Sequence, residues 1–343
     1  MPEVAAVRAG EELPLESLAD WLGPRLAGGS DLEIRQFPSG HSNLTYLLRT
    51  RTPPGEYVLR RPPLGPVAAK AHDMLREHRV LQAVHPHYPP APRPILACDD
   101  AGVIGAPFFV MERRNGVVPR YGVPPEYAGN AEAPGRMSQA LIDGLARLHR
   151  IDVQATGTVA LGKPDGFLER QVSGWTSRWQ AALTEPVPAM EPVLSWLASE
   201  LPPSPYTTLV HQDYKLDNTL FDPADPGRLT AVLDWEMATV GDPLADLGLS
   251  LTYWSIPEAR SVAGMDASAG WWSREQMMQR YQELTGFELG RLNWYEVFGT
   301  FKLAVIVQQI YARYVRGQTG DSRFSRMGEM AVALARRARS MIQ

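Results

Sequence analysis

Alternation of apolar and polar positions predicts a small β-sheet in the first third of the chain. Five segments combine the period-two pattern of strands with turn-forming flanks. They are LEIRQF, LTYLLRT, YVLRR, PILACDD and PFFVMERR, all within residues 32–114. The segment VAAKAHDMLREHRVLQAVH (67–85) instead repeats its apolar positions at helical spacing and ends at a group of prolines. The order of three strands, one helix and two strands predicts an antiparallel sheet with one helix.

Helical periodicity dominates the rest of the chain. A short amphipathic helix is predicted before the strands, at residues 14–28. The other predicted helices lie at 134–151, in two segments within 171–201, and at 243–255, 273–285, 292–317 and 323–342. The segments TLVHQDYKLDNTLF and LTAVLDWE predict loops with very short strands, and WEMATVGDPLADLG is expected to run directly into a helix.

These elements predict an α+β fold with two unequal lobes. The predicted divisions are an N-terminal helical segment (1–30), a β-rich lobe with a small antiparallel sheet (31–114) and a larger, mostly helical lobe (115–343). Two lobes joined by a short connection form a cleft, and such clefts commonly bind ligands. We therefore expect the functional site to draw on both lobes.

Composition excludes several other classes of function. The chain is 44% hydrophobic and 21% charged, as in ordinary soluble globular proteins. Its net charge of −4 is too mild to suggest nucleic acid or an anionic membrane surface as a partner. The single cysteine, Cys98, excludes an internal disulfide and a cysteine-rich metal site. With no signal-peptide pattern and no apolar stretch approaching ~20 residues, we expect a cytoplasmic protein.

The segment HQDYKLDN (211–218) carries the first candidate chemistry. Its spacing, His, one residue, Asp, four residues, Asn, is that of the kinase catalytic loop. Asp213 would accept the proton of a substrate hydroxyl, Asn218 would bind Mg²⁺, and His211 would brace the loop. The alternative is a surface turn in which Asp and Asn bond to nearby backbone.

Asp234 favours the first interpretation. It follows the apolar residues AVL, as expected at the end of a buried strand. A carboxylate at such a place is costly unless it meets a metal or a hydrogen-bond network. Because Mg²⁺ takes carboxylate and amide oxygens together with phosphates, the sequence predicts that Asp234 and Asn218 bind magnesium.

Segments along nearly the whole chain resemble the aminoglycoside phosphotransferase and choline kinase superfamily. These segments are GHSNLTYLL, YVLRRPP, REHRVLQAV, GAPFFVMER, LARLHRID, LDWEMATVGDPLADLG and FKLAVIVQQIYARY. Within the superfamily the sequence is most similar to the kinase-like domain found fused ahead of acyl-CoA dehydrogenases and to its free-standing bacterial relatives. The resemblance implies a protein-kinase-like fold that transfers the γ-phosphoryl group of ATP, with Mg²⁺, to a hydroxyl of a small molecule.

The resemblance also implies roles for residues outside HQDYKLDN. The nucleotide-covering loop would contain Gly40, His41, Ser42 and Asn43, and the hinge beside adenine would contain Met111, Glu112 and Arg113. On the strand YVLRR, Val58 would cover adenine and Arg60 would reach the phosphates from the same face. Arg60 departs from the lysine usual in the family, and Glu77 on the following helix is its predicted partner. Asp246 would support the catalytic loop without taking part in chemistry.

Two other functions compete with a small-molecule kinase. A pseudokinase, which binds nucleotide without turnover, is suggested by arginine in place of the usual lysine. A protein kinase is disfavoured, because no A-P-E segment follows Asp234.

The predicted helix 292–317 gives a signal about the charge of the substrate. Lys302, Gln309 and Arg313 share one face of this largely apolar helix, and buried cations need anionic partners. The partner could be an anionic substrate, such as a hydroxy acid or a hydroxyacyl thioester, rather than an aminoglycoside. Protein carboxylates such as Asp246 or Glu236 could equally neutralise these cations. Trp254 is predicted to line the substrate pocket together with Glu236, although an aromatic at this position is commonly core.

Overall fold

The structure is a computed structural model that describes residues 4–37, 43–64, 73–120, 122–255, 270–319 and 322–342. The chain divides into two compact units. The first comprises Met1–Asn115 and Ala231–Met237, and the second comprises Gly116–Thr230 and Ala238–Gln343. Within the described ranges, no helix has the length and apolar character needed to cross a membrane.

A five-stranded antiparallel sheet forms most of the first unit. Its strands are β1 (Leu32–Gln36), β2 (Leu44–Arg51), β3 (Pro54–Arg61), β4 (Pro94–Cys98) and β5 (Phe108–Glu112). Their order across the sheet is β1-β2-β3-β5-β4. The helices of this unit are α1 (Leu15–Leu22), α2 (Met74–Val84) and the short α3 (Ala101–Ile104). The predicted sheet is confirmed, and the first part of the predicted helix 67–85 lies outside the described residues.

Strand register separates the sheet into two faces. Tyr46, Leu59 and Val110 are directly opposite one another, so their side chains share a face. This face packs with Leu18 and Leu22 of α1 in a buried apolar cluster. The opposite face carries Val58, Arg60 and Met111.

Helices make up most of the second unit. They are α4 (Ala133–His149), α5 (Phe167–Ala182), α6 (Met190–Ser199), α7 (Pro243–Ser255), α8 (Arg274–Thr285), α9 (Leu292–Val315) and α10 (Met327–Met341). Two short strands, β6 (Thr208–Val210) and β9 (Thr239–Gly241), pair antiparallel. The strands β7 (Thr219–Asp222) and β8 (Asp225–Val232) form a separate two-stranded sheet.

Small residues allow α7 and α9 to pack closely. A Cβ added at Gly248 would lie 2.6 Å from Tyr295, and one added at Gly299 would lie 2.6 Å from Thr252 Oγ1. Both distances are below van der Waals contact, so any larger side chain would force the helices apart. The close packing sets the position of α7, whose first turn carries Asp246.

Several predicted element boundaries are wrong. Helix α1 ends at Leu22 rather than at residue 28, because Pro24 has no backbone N–H with which to continue the helical hydrogen bonds. The direct run into helix after Asp234 is also wrong, since β9 intervenes before α7. The predicted helix 323–342 begins as a 3₁₀ turn at Ser322–Arg326 and becomes α10 only at Met327. The predicted domain boundaries stay predictions.

Candidate active site

Arg60 is the centre of a charged cluster in the first unit. Its Nη1 donates a short hydrogen bond to Glu77 on α2, and its Nη2 donates to Asp234 Oδ1 at 2.9 Å. The pairing of Arg60 with Glu77 is therefore as predicted. Glu77 is only 1% exposed, and burial raises the pKa of its carboxyl group. The cluster leaves Arg60 positioned by two carboxylates, with α2 supplying one of them.

Asp234 has an unusual backbone conformation. Its φ of 68° lies in the left-handed region that non-glycine residues rarely adopt. Such conformations persist where the surroundings over-determine them, and they concentrate at functional sites. Two residues further on, Glu236 Oε2 accepts a hydrogen bond of 2.7 Å from Asn43 Nδ2, and the Glu236 carbonyl accepts one from Arg76. Both contacts of Glu236 are with residues of the first unit, to which Glu236 itself belongs. They do not test its predicted place in the substrate pocket, which stays a prediction.

Strand register places the predicted adenine-contacting residues together. Val58 and Met111 are directly opposite each other in β3 and β5, so both side chains lie on the face that carries Arg60. The shared face predicted for Val58 and Arg60 is confirmed. Of the hinge residues, Glu112 already donates its backbone N–H to the Arg93 carbonyl at 2.9 Å. Only its carbonyl can then serve as the predicted backbone contact to adenine.

Other residues of the predicted nucleotide site are only partly defined. The Arg113 side chain forms an ion pair with Glu56, and its backbone role stays a prediction. Gly40, His41 and Ser42 lie outside the described residues, whereas Asn43 is buried at the start of β2.

In the second unit, Asp246 fixes the segment HQDYKLDN (211–218), which we call the catalytic-loop segment. The carboxylate of this α7 residue accepts the backbone N–H of His211 at 2.5 Å and that of Gln212 at 2.7 Å. His149 Nε2 lies 3.3 Å from the same carboxylate, and His149 Nδ1 lies 2.6 Å from the Tyr281 hydroxyl. Burial alone would raise the pKa of Asp246, but its bonds to His149 and His211 lower it. The geometry is that of a support for the loop, which is the role predicted for Asp246.

Asp213 is held from three sides. Asn218 Nδ2 donates to Asp213 Oδ2 at 2.8 Å and to its carbonyl at 2.9 Å. Lys215 Nζ lies 3.3 Å from Oδ2, and the Tyr253 hydroxyl donates to Oδ1 at 3.4 Å. The Asp213 backbone N–H donates to His211 Nδ1 at 3.3 Å, which agrees with a bracing role for His211. A carboxylate oriented in this way can accept a proton from a hydroxyl placed beside it.

The side chains of Asn218 and Asp234 offer oxygen atoms of the kind that bind Mg²⁺. Asn218 uses its amide nitrogen in the bonds to Asp213, so its carbonyl oxygen is the atom suited to a cation. Asp234 supplies a carboxylate in its own unit. No group of three or more His, Cys, Asp or Glu side chains suited to a metal is found within the described parts of the chain. Mg²⁺ does not need one, because one or two protein oxygens and substrate phosphates commonly hold it.

The three residues of α9 that were expected to face an anionic substrate differ in how deeply they are buried. Arg313 is exposed near the end of α9, so the burial assumed for it is wrong. Gln309 is partly buried. Lys302 is 2% exposed and donates from Nζ to the Gln212 carbonyl at 2.5 Å. The helix is buried nearly all round only as far as Gln308, so the expected burial holds for Lys302 and fails for Arg313.

Trp254 is a packing residue in the described structure. It is buried, and its indole N–H donates to the Trp272 carbonyl at 2.7 Å. Its ring meets that of Trp271 edge to face, with centroids 5.7 Å apart. These contacts agree with the alternative that Trp254 belongs to the core, and its predicted contact with substrate is untested.

Sequence reasoning missed three residues around the loop. Lys215, His149 and Tyr281 were not assigned a role, although each contacts a predicted site residue or its support. For Lys215 a signal is present, because a lysine two positions after the predicted catalytic Asp213 can reach its carboxylate. His149 and Tyr281 come from α4 and α8, so only the tertiary fold brings them to Asp246.

Comparison with known proteins identifies the family. The sequence model of the phosphotransferase enzyme family matches residues 33–284, which is most of the chain. The chain belongs to this family. Its fold is the protein-kinase-like fold of the small-molecule phosphotransferases, in agreement with the resemblance seen in the sequence.

Solved structures agree with this assignment. A crystal structure from Ralstonia eutropha, provisionally assigned as an aminoglycoside phosphotransferase, is 31% identical with a TM-score of 0.79. The match covers 96% of this chain and 98% of that one. The aminoglycoside phosphotransferase APH(4)-Ia, solved as a thermostable mutant with ADP and hygromycin B, has a TM-score of 0.61. It is 16% identical, with 95% and 98% of the two chains covered, so it supports the fold alone.

Curated relatives are longer than this chain. Acyl-CoA dehydrogenase family member 10 from Mus musculus is 33% identical over 343 residues, covering 98% of this chain and 32% of the relative. Family member 11 from Rattus norvegicus is 36% identical over 320 residues, covering 90% and 40%. The chain thus spans about a third to two-fifths of these relatives.

Proposed function

We propose that the chain is an ATP- and Mg²⁺-dependent kinase that transfers a phosphoryl group to a hydroxyl of a small molecule. The observation that carries the proposal is the environment of Asp213. Its Oδ2 lies 2.8 Å from Asn218 Nδ2 and 3.3 Å from Lys215 Nζ, on a loop whose backbone is bonded to Asp246. A surface turn would not need a buried carboxylate to fix it, so the arrangement favours a catalytic loop.

Each residue has a definite part in this proposal. Bound Mg²⁺–ATP would supply the transferable group and the cation that neutralises its charge. Asp213 accepts the proton of the acceptor hydroxyl and orients that oxygen for attack. Asn218 keeps the Asp213 carboxylate in place through its amide nitrogen, and Lys215 stabilises the negative charge of that carboxylate. Arg60, oriented by Glu77, binds the phosphates through its guanidinium.

We propose a small molecule as the acceptor, because the mild net charge gives no support for a nucleic acid or a membrane surface. The preference for an anionic acceptor stays a prediction from the sequence. Its expected basis is weakened, because Arg313 is exposed and Lys302 is bonded to a backbone carbonyl. Lys215 adds no net positive charge either, since both Asp213 and Asp217 lie within 3.8 Å of its Nζ.

An acceptor screen tests the proposal. The protein would be incubated with ATP and Mg²⁺ and with three groups of hydroxyl compounds: hydroxy acids, hydroxyacyl thioesters and aminoglycosides. Formation of ADP would be measured with and without each acceptor, and Asp213→Asn would be the inactive control. Acceptor-dependent ADP formation that is lost in the control supports the kinase.

The same screen separates the alternatives. Tight binding of Mg²⁺–ATP without turnover of any acceptor would favour the pseudokinase, which Arg60 in place of lysine suggests. Efficient turnover of aminoglycosides would favour an antibiotic kinase of the type named among the structural neighbours. Turnover of a peptide library instead would point to a protein kinase and contradict the proposal.

A further inference from the structure

Lys302 is a buried lysine that the proposed mechanism does not use. It lies on α9 and is 2% exposed, so it is not placed to contact a substrate directly. Its Nζ donates to the Gln212 carbonyl at 2.5 Å and lies 3.3 Å from Gln212 Oε1. The ammonium also lies 5.1 Å from the centroid of the Trp175 ring. Within the described part of the chain, its hydrogen bonds therefore go to the one residue that precedes Asp213.

Gln212 needs such contacts because of its backbone conformation. Its φ is 71°, in the left-handed region, where the Cβ of a non-glycine residue crowds the backbone. Asp246 Oδ1 accepts its N–H at 2.7 Å, while Lys302 binds its carbonyl and its side-chain oxygen. A carboxylate on one side and an ammonium on the other thus hold both polar backbone groups of Gln212. Rotation about φ at Gln212 would swing Asp213 out of its place.

The ammonium of Lys302 is costly to bury. No carboxylate of the described residues lies within ion-pair distance of it, and an isolated buried charge is strongly unfavourable. An apolar side chain of similar length, such as methionine, would fill the space without this penalty. The lysine is better explained by the hydrogen bond that only a donor can supply to the Gln212 carbonyl.

We propose that Lys302 is a positioning residue that holds Gln212 in its left-handed conformation and thereby presents Asp213 for catalysis. The inference rests on the proposed function only for the role of Asp213, because the effect on loop geometry can be measured without turnover. It assigns to Lys302 a contact with the loop in place of the contact with substrate expected from the sequence.

Lys302 and a control on the same helix test the geometry. Lys302→Met removes the donor and keeps the length. Gln308→Met removes another buried donor of α9, whose Nε2 bonds to the Ala182 carbonyl at 3.0 Å, away from the loop. In crystal structures we expect Gln212 to leave positive φ and the Asp213 carboxylate to move from Asn218 in Lys302→Met only. A loop unchanged in Lys302→Met would overturn the proposal.

Amide hydrogen exchange gives a second readout in solution. Loss of a hydrogen bond from a charged donor should make the amides of residues 211–213 exchange about tenfold faster or more in Lys302→Met. The same amides should keep their protection in Gln308→Met. Equal exchange in the wild type and Lys302→Met, or equal acceleration in both variants, would contradict a specific contact with the loop.

A double variant covers the case in which Lys302→Met does not fold. Glycine reaches positive φ without steric cost, so Gln212→Gly combined with Lys302→Met should fold and keep Asp213 near Asn218. Failure of the double variant as well would mean that Lys302 stabilises the helical core in general, and the proposal would be wrong.

Turnover with an acceptor from the screen then links geometry to catalysis. We expect Lys302→Met to lower kcat while KM for ATP stays within about twofold, because Arg60 and Asp234 are untouched. If the wild type shows no turnover with any acceptor, the proposed function is wrong. The crystal structures and hydrogen exchange of the variants then decide by themselves whether Lys302 holds the loop. Unchanged kcat in an otherwise active enzyme would overturn the positioning role.

Discussion

Lysine is rare in this chain, and its use is local. The sequence has 34 basic residues, of which only Lys70, Lys163, Lys215 and Lys302 are lysines. Lys215 belongs to the catalytic-loop segment 211–218 and pairs with Asp213, and Lys302 donates to Gln212 of the same segment. Burial would lower the pKa of both, but the Asp213 carboxylate raises that of Lys215 well above its usual range. A compact ammonium fits these two places better than the planar guanidinium that the chain uses elsewhere.

Lys302 should titrate at unusually low pH. Burial lowers its pKa to about 8, because the attraction of Asp213 and Asp246 is offset by Arg178 and Lys215 and does not compensate for lost hydration. With only four lysines, the ¹³Cε signals of labelled protein can be resolved and assigned by substitution. We expect one signal, lost in Lys302→Met, with a midpoint near pH 8. A midpoint at or above 10.5, the ordinary value, would contradict the burial effect.

The same shift should make stability depend on pH. Between about pH 8 and 10.5 the unfolded chain binds more protons at Lys302 than the folded chain does. The free energy of unfolding contributed by this residue should therefore rise with pH in that window. Urea titrations at pH 8 and pH 10 measure it, and the rise should be smaller in Lys302→Met than in the wild type.

Asp213→Asn should separate chemistry from folding. The amide keeps the shape of the side chain but cannot accept the hydroxyl proton, and loss of a general base typically costs about 10²–10⁴-fold in rate. Nucleotide binding measured by calorimetry should be retained. The control is Asp222→Asn, which alters an exposed ion pair with Arg228 outside the loop and should leave turnover unchanged. Equal rates for Asp213→Asn and the wild type would remove Asp213 from the mechanism.

Some residue contacts follow from the sequence and others do not. The pairing of Arg60 with Glu77 could be predicted, because strand alternation fixes the face of Arg60 and the first turn of the next helix carries the acid. The contact of His149 with Asp246 could not, since the two residues are 97 positions apart. The predicted burial of Arg313 is wrong because α9 is buried nearly all round only as far as Gln308, beyond which most side chains are partly or fully exposed.

At the scale of elements, the crossing of α7 and α9 connects the core to the loop. Helix α7 carries Asp246, which holds the loop, and α9 carries Lys302, which binds it from the other side. The relative position of these helices therefore decides whether both contacts to Gln212 can form. Helices of this length are visible in the sequence as periodic patterns, whereas the closeness of their crossing depends on glycines that a pattern of apolar residues does not reveal.

Gly248→Ala should disturb this crossing. The added Cβ would lie 2.6 Å from Tyr295, including its backbone, so one of the helices must shift. Overpacking of this kind typically costs about 1–3 kcal/mol of unfolding free energy. Gly290→Ala is the matched control, because a Cβ there meets nothing within 4 Å. Denaturant unfolding should show a lower midpoint for Gly248→Ala only, and equal midpoints for the two variants would contradict the close packing.

The shortest elements were the least predictable. Strand β9 has only three residues, Thr239–Gly241, and is stabilised by pairing with β6. Strand β6 directly precedes the catalytic-loop segment. Three residues carry too little alternation to distinguish a strand from a loop. The five-stranded sheet was predictable, because strands of up to eight residues alternate over several positions and turn sequences separate them.

At the scale of the whole molecule, charge is arranged locally rather than globally. The net charge of −4 says little about the ligand, whereas within the first unit the guanidinium of Arg60 is bonded to two carboxylates. If Arg60 binds the phosphates as proposed, the negative charge around it would make nucleotide binding dependent on an accompanying cation. Family membership supports nucleotide binding, and the donor chemistry of Asp234 supports Mg²⁺. Metal and nucleotide should therefore act together on stability.

Mg²⁺–ATP should raise the melting temperature of the protein, and ATP in EDTA should raise it much less. A ligand that binds only the folded state at about 100 times its Kd adds about 2.7 kcal/mol to the unfolding free energy. Asp234→Asn replaces a charged oxygen ligand with a neutral amide, so its shift with Mg²⁺–ATP should fall toward the value in EDTA. The control Asp20→Asn changes an exposed carboxylate on α1 of the same unit and should retain the full shift. If EDTA made no difference to the wild type, Asp234 would not be a metal ligand, and a nucleotide-binding module without turnover would become the better account. Because the measurement needs no acceptor, it decides between these accounts before any substrate is known.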